Sequence, residues 1–193
     1  HVSYGTLNDS DGNPFKTRDG GTKPLSELFE ETYRYIKNIN ESLDEVTIQQ
    51  LTNSVLTFSD LITNRKTDYK FDLEKFTNVN GKTGIYIQYA QVRAKKLLRS
   101  LDQKTNEPDK LLLSEVDRKL LSKLYMFGYF LEQTLSLNEP HHLANYLYDI
   151  SNLFNQFYES EKLSEITNLD QLSSKLFLIN LFLTTSNNTM HCL

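Results

Sequence analysis

Ser114-Glu115-Val116-Asp117-Arg118-Lys119-Leu120-Leu121-Ser122-Lys123-Leu124 opens as a helix and then shows which face that helix hides. Ser114 stands three residues before Asp117, the spacing of a capping box. A Ser hydroxyl can then accept from a first-turn N–H while the carboxylate reaches back to the cap. Behind it Leu120, Leu121, Leu124, Phe127, Leu131 and Leu135 recur at three- and four-residue intervals. That period puts apolar side chains on one side of a helix, and it predicts one long amphipathic helix over 114–135. A helix with one oily stripe needs partners of the same kind.

The partners lie on both sides. Asn138 and Pro140 start a segment predicted helical to about Tyr158, with Leu143, Tyr146, Leu147, Ile150, Phe154 and Phe157 as core. A further helix is predicted from Asn168–Gln171 to about Thr185. Upstream, Gly84 to Leu101 carries Ile87, Ala90, Ala94, Leu97 and Leu98 on one face. Residues 84 onward therefore read as a four-helix bundle. Two more helices precede it. One runs from Pro24 to about Lys37, since proline suits a first turn. The other runs from Asp44 to Asn64 with Ile48, Leu51, Val55, Phe58 and Ile62 inward. Asp72–Phe76 fits a single turn. Residues 1–23 differ: they hold four of the seven glycines and read as short strands and turns.

Composition agrees with a mainly α globular chain. The 193 residues are 38% hydrophobic and 24% charged, with few glycines or prolines to make the turns of a β-sandwich. One cysteine, Cys192, excludes an internal disulfide framework or a cysteine-rich zinc site. No apolar run approaches the roughly 20 residues that span a bilayer, and no secretory leader opens the sequence. The net charge is −4. A generic basic nucleic-acid surface is thereby disfavoured, so any such contact must come from a local arrangement.

Four constellations could carry chemistry. In Gly12-Asn13-Pro14-Phe15-Lys16-Thr17-Arg18-Asp19-Gly20-Gly21, two cations sit between glycine-containing turns, where they could stabilise charge on a triphosphate. The plain alternative, which the nonspecific K-x-R spacing favours, is a polar hairpin with solvated charges. On 84–101, Tyr86, Tyr89, Arg93 and Lys96 share a stripe at about 100° per residue. Rings beside cations suit unstacked bases, each stacked base contributing about 1–3 kcal/mol. The plain alternative is two tyrosines edging the core. His141 and His142 are adjacent and point about 100° apart on a helix, so no metal site is expected there. Tyr158, near a helix end, is freest to face a ligand. Asn64-Arg65-Lys66-Thr67-Asp68-Tyr69-Lys70-Phe71-Asp72 reads as a helix end with local pairing of Arg and carboxylate.

Taken in order, these stretches resemble the bacterial arginyl-tRNA synthetases. Phe15-Lys16-Thr17-Arg18-Asp19-Gly20-Gly21 is similar to the family's degenerate KMSKS loop. Leu25-Ser26-Glu27-Leu28-Phe29 is similar to the helix that follows it. Asn64-Arg65, Asp68-Tyr69 and Phe71-Asp72 resemble its N-R-x-x-D-Y-x-F-D stretch. Tyr86-Ile87-Gln88-Tyr89-Ala90 with Arg93 resembles Y-x-Q-Y-A-x-x-R, and Leu143–Asp149 with Phe157-Tyr158 resembles L-x-x-Y-L-Y-D-L…F-Y.

The resemblance implies a class I, ATP-dependent arginine-tRNA ligase, here as a C-terminal fragment. Implied are the end of a Rossmann-type catalytic domain over 1–23, stem-contacting helices over 24–72, and a DALR-type anticodon-binding helical domain over 73–193. It implies catalytic roles for Lys16 and Arg18 near ATP, and tRNA contacts for Tyr86, Tyr89, Arg93, Lys96 and Tyr158. The parent enzyme would use arginine, ATP with Mg2+ and the tRNA for arginine. The fragment, lacking the H-I-G-H motif, is expected to be inactive alone, to hold no cofactor, and to be a cytoplasmic monomer off the membrane. The competing expectation is a helical protein-interaction scaffold without nucleic-acid binding.

Overall fold

The computed structural model describes residues 1–8, 24–70, 72–100, 108, 110–160 and 162–193. The chain forms two compact units, one of residues 1–86 with 139–141, the other of residues 87–138 with 142–193.

In the first unit α1 (Leu25–Ile39) and α2 (Glu45–Leu61) are the main elements. The Asp44 carboxylate caps α2 by accepting from the Thr47 N–H at 2.9 Å, satisfying one of the donors a helix start leaves open. Ile36, Ile48, Val55 and Phe76 make the core, with Tyr33, Leu43, Leu51, Tyr69 and Ile85 around it. Phe76 comes from the short α3 (Leu73–Thr77). β1 (Leu7–Asn8) pairs in parallel with β2 (Tyr69–Lys70), Leu7 opposite Tyr69 and Asn8 opposite Lys70.

The stretch around Asn64–Asp72 explains that pairing. The Asp68 carboxylate accepts from both the N–H and the hydroxyl of Thr6, each at 2.7 Å. Arg65 donates from its guanidinium to the Ser3 carbonyl, and the Gly5 N–H donates to the Arg65 carbonyl at 2.6 Å. These contacts reach back across the sequence to the N-terminal strand, where local pairing was the expectation. Glu139, also of this unit, pairs with Lys66 at 2.8 Å.

The helix α4 (Gly84–Ser100) begins in the first unit and supplies Ile87, Ala90 and Ala94 to the core of the second. The rest of that unit is α5 (Glu115–Tyr125), α6 (Phe127–Leu137), α7 (His141–Ser160), a 3-10 turn at Leu163–Glu165, and α8 (Leu169–Cys192). The core expected on α7 is buried in full: Leu143, Tyr146, Leu147, Ile150, Phe154 and Phe157. Phe154 stacks on Phe182 of α8 with ring centroids 4.2 Å apart. Lys175 and Asp117 form a buried ion pair at 2.9 Å between α8 and α5.

Three expectations need correction. The long helix over 114–135 is two helices, broken at Met126 (φ −81°, ψ 6°). The Met126 N–H reverts to the Lys123 carbonyl at 3.1 Å. The Leu124 carbonyl, which the same N–H also approaches, accepts from the Tyr146 hydroxyl at 3.0 Å. That bond, with the helix-weakening Gly128 just beyond, gives the chain a place to turn. Asn138 ends α6 rather than starting α7. It is the left-handed cap (φ 54°, ψ 42°), a conformation asparagine tolerates. Finally, α8 continues to Cys192, past the predicted stop near Thr185. Its polar residues are satisfied inside the bundle, as Thr189 donates to the Thr185 carbonyl at 2.7 Å and Ser186 accepts from Gln91 at 3.0 Å. Among the described residues no helix is long and apolar enough to cross a membrane.

Candidate nucleic-acid interface

The exposed side of α4 is basic. Between Gly84 and Ser100 it carries Arg93, Lys95, Lys96 and Arg99 and no acidic residue, although the whole chain is negative. The opposite side, with Ile87, Ala90 and Ala94, is fully buried. The helical period thus holds the cations outward by burying the alanines.

On this face Tyr89 is 49% exposed. Arg93, one turn later, folds back on it: the guanidinium carbon lies 4.3 Å from the Tyr89 ring centroid. Nη2 donates to the Tyr89 hydroxyl at 3.1 Å. The same guanidinium lies 4.7 Å from the ring centroid of Tyr158, on α7. Residues 65 positions apart in sequence (158 − 93) thus form one cation–π cluster, of the kind attracted through the ring quadrupole.

Two further α7 residues complete it. Arg93 Nη1 donates to the Asn155 Oδ1 at 3.0 Å and lies 3.6 Å from the Glu159 Oε1. Asn155, Tyr158 and Glu159 occupy one turn at three- and four-residue spacing, so they share a helix face. That spacing was available in the sequence, but nothing in it says that α7 turns this face toward Arg93.

The other expected site residues fall as follows. Lys96 is exposed on α4, one turn beyond Arg93. Tyr86 is half-buried and belongs to the first unit; its N–H donates to the Thr83 hydroxyl at 3.2 Å. Lys16 and Arg18 lie outside the described residues. The structure therefore brings together Tyr89, Arg93 and Tyr158 and adds Asn155 and Glu159.

Chemically, this is an aromatic and cationic surface with the Glu159 carboxylate at its edge. It offers ring faces for flat apolar groups and a guanidinium for anions, the combination that binds unstacked nucleotides.

The model of the DALR anticodon binding domain matches residues 87–193, which include α4 from Ile87 onward, all of α5 to α8, and four of the five residues expected to contact RNA, Tyr89, Arg93, Lys96 and Tyr158. The chain belongs to the DALR anticodon-binding domain family. This DALR chain is similar to longer proteins throughout. An arginine–tRNA ligase of Francisella tularensis subsp. novicida is 39% identical over 194 residues, covering 96% of this chain and 33% of its own length. One from Stutzerimonas stutzeri is 36% identical over 169 residues, covering 82% of the chain and 29% of itself. Among solved structures, Plasmodium falciparum arginyl-tRNA synthetase is 26% identical with a TM-score of 0.73, covering 100% of the chain and 34% of that protein. Thermus thermophilus arginyl-tRNA synthetase shares the fold at a TM-score of 0.81 and 23% identity, covering 98% of the chain and 34% of that protein. The DALR chain spans about a third of the length of the relatives it matches.

Proposed function

We propose that this chain is the tRNA-binding C-terminal part of an arginine–tRNA ligase and recognises the anticodon stem-loop of the tRNA for arginine. The observation that carries this is the cluster of Tyr89, Arg93 and Tyr158 beside Lys96 on a helix without acidic residues. Unpaired loop bases meet the phenol rings, and the cations meet the backbone phosphates. Tyr86 is assigned a tRNA contact of its own, and residues 24–72 are assigned to the stem. Joining arginine to the tRNA with ATP and Mg2+ is the work of the longer protein, a cytoplasmic monomer. In this chain only Lys16 and Arg18 are assigned to that reaction. Positioning supplies most of such catalysis, so the chain alone does not activate arginine.

The test is binding of a labelled anticodon stem-loop by the chain and by Tyr89→Ala and Arg93→Ala. Losing one stacked base weakens binding by about five-fold to more than a hundred-fold. Losing the guanidinium reduces the salt slope by about one. Unchanged affinity in both variants overturns the proposal. It would favour a protein-interaction scaffold instead, for which α6 supplies the motive. None of the residues of α6 is fully buried, and Tyr129, Leu135 and Leu137 are exposed.

A further inference from the structure

The fork of Arg93 is engaged within the chain itself. Nη2 is bonded to Tyr89, and Nη1 serves both Asn155 and Glu159. The last two partners differ in kind. Asn155 is a neutral amide, 7% exposed, and its oxygen is fixed by the helix it sits on. Glu159 is a charged carboxylate with its side chain 69% exposed, and it approaches only to 3.6 Å. A pair that loose and wet is held weakly. A phosphate offers the same two things as that carboxylate, a negative charge and oxygens in a plane the guanidinium can grip.

We propose that Glu159 is a positioning residue that holds the anion place on Arg93 until an RNA phosphate displaces it, while Asn155 keeps the guanidinium against the two rings throughout. This rests on the reading of the cluster as an RNA contact. The carboxylate lowers affinity in two ways: it must be displaced, and it remains near the incoming phosphate as a like charge. In return it keeps the guanidinium aligned with the rings when no RNA is bound.

The experiment measures the dissociation constant of the whole chain for a fluorescein-labelled hairpin of the anticodon stem and loop, over a range of salt. The variants are Glu159→Gln, Arg93→Ala and the double variant. Helicity by circular dichroism checks that each is folded; Glu159 is exposed, so its replacement leaves the core intact. Glu159→Gln is expected to bind about two- to five-fold tighter at low salt, with the gain shrinking as salt screens the charges. In the Arg93→Ala background the gain is expected to be smaller, only the part that like-charge repulsion contributes. A gain of equal size in that background means general repulsion and overturns the exchange at Arg93. Unchanged or weaker binding by Glu159→Gln, with Arg93→Ala weakened, overturns this inference and leaves the functional proposal standing. If Arg93→Ala binds as well as the parent chain, the reading of the cluster fails and the exchange fails with it.

Discussion

Replacing Asp117 with Ala tests the second unit where it is most charged inside. The Asp117 carboxylate is fully buried and lies 2.9 Å from the Lys175 ammonium, itself 2% exposed. Its other oxygen accepts from the Ser114 N–H at 2.8 Å, and the Asp117 N–H donates to the Ser114 hydroxyl at 3.3 Å, closing the capping box of α5. Lys175 also stands over the Phe157 ring at 5.2 Å, so one ammonium ties α5, α7 and α8 together. Removing the carboxylate takes its countercharge from a buried ammonium, which costs about 3–5 kcal/mol, and the lost cap contributes about 1 kcal/mol of that. Stability for a domain this size is about 5–15 kcal/mol, so the loss is a large share. Lys175→Met should cost less, because the carboxylate keeps the Ser114 N–H. The double variant should recover part of the loss, with a coupling of about 2 kcal/mol between sites in direct contact. Urea unfolding followed by far-ultraviolet circular dichroism reads all three. A single-variant loss under about 1 kcal/mol, or strictly additive losses, would refute the reasoning.

Four other outcomes are expected. Gly84→Ala should destabilise the first unit by about 1–3 kcal/mol, since a Cβ there meets the Ser54 carbonyl and hydroxyl. Gly128→Ala, with nothing within 4 Å of the new carbon, should be neutral or stabilising by up to about 1 kcal/mol, and thermal melts of both variants decide it. Tyr146→Phe should cost about 0.5–1.5 kcal/mol by removing the bond its hydroxyl gives the Leu124 carbonyl; a melt unchanged from the parent would contradict that account of the α5–α6 break. Asp68 and Asp44 are held below the ordinary carboxylate value of 3.8, first by the backbone N–H groups of Thr6 and Thr47 and then by their hydroxyls. Their folded values lie below the unfolded ones, so the stability they lend is present above 3.8 and is lost as the pH falls through the folded values. Urea midpoints against pH should fall in that window, and less steeply for Asp68→Asn; identical curves would sink the assignment.

What was legible in the sequence was periodic. The stripes of Leu120 and Leu124, of Leu143 to Phe157, and of Ile87 to Ala94 gave the helices and their inner faces, because burial on one side repeats with the helix. The same reading failed where a distant side chain altered the backbone. At the break near Met126 the Tyr146 hydroxyl bonds the Leu124 carbonyl, and Gln91 from α4 meets the last turns of α8 at Ser186. No local pattern announces either partner. Asn138 was visible as a boundary, but whether it closed one helix or opened the next depended on its left-handed backbone. The site divides in the same way. Tyr89 and Arg93 were one turn apart on one helix and could be paired by spacing. Tyr158 was picked only as a residue near a helix end. Asn155 and Glu159 became visible once α7 was seen to lie beside α4 at Arg93.

The most direct measurement follows the tyrosine ring protons by NMR while the anticodon stem-loop is titrated into the chain. Stacking of loop bases should shift the rings of Tyr89 and Tyr158 strongly and give them contacts to base protons. Tyr129, 53% exposed on α6 and outside the cluster, should barely move. Shifts centred on Tyr129, or none at Tyr89 and Tyr158 under saturating RNA, would contradict the account.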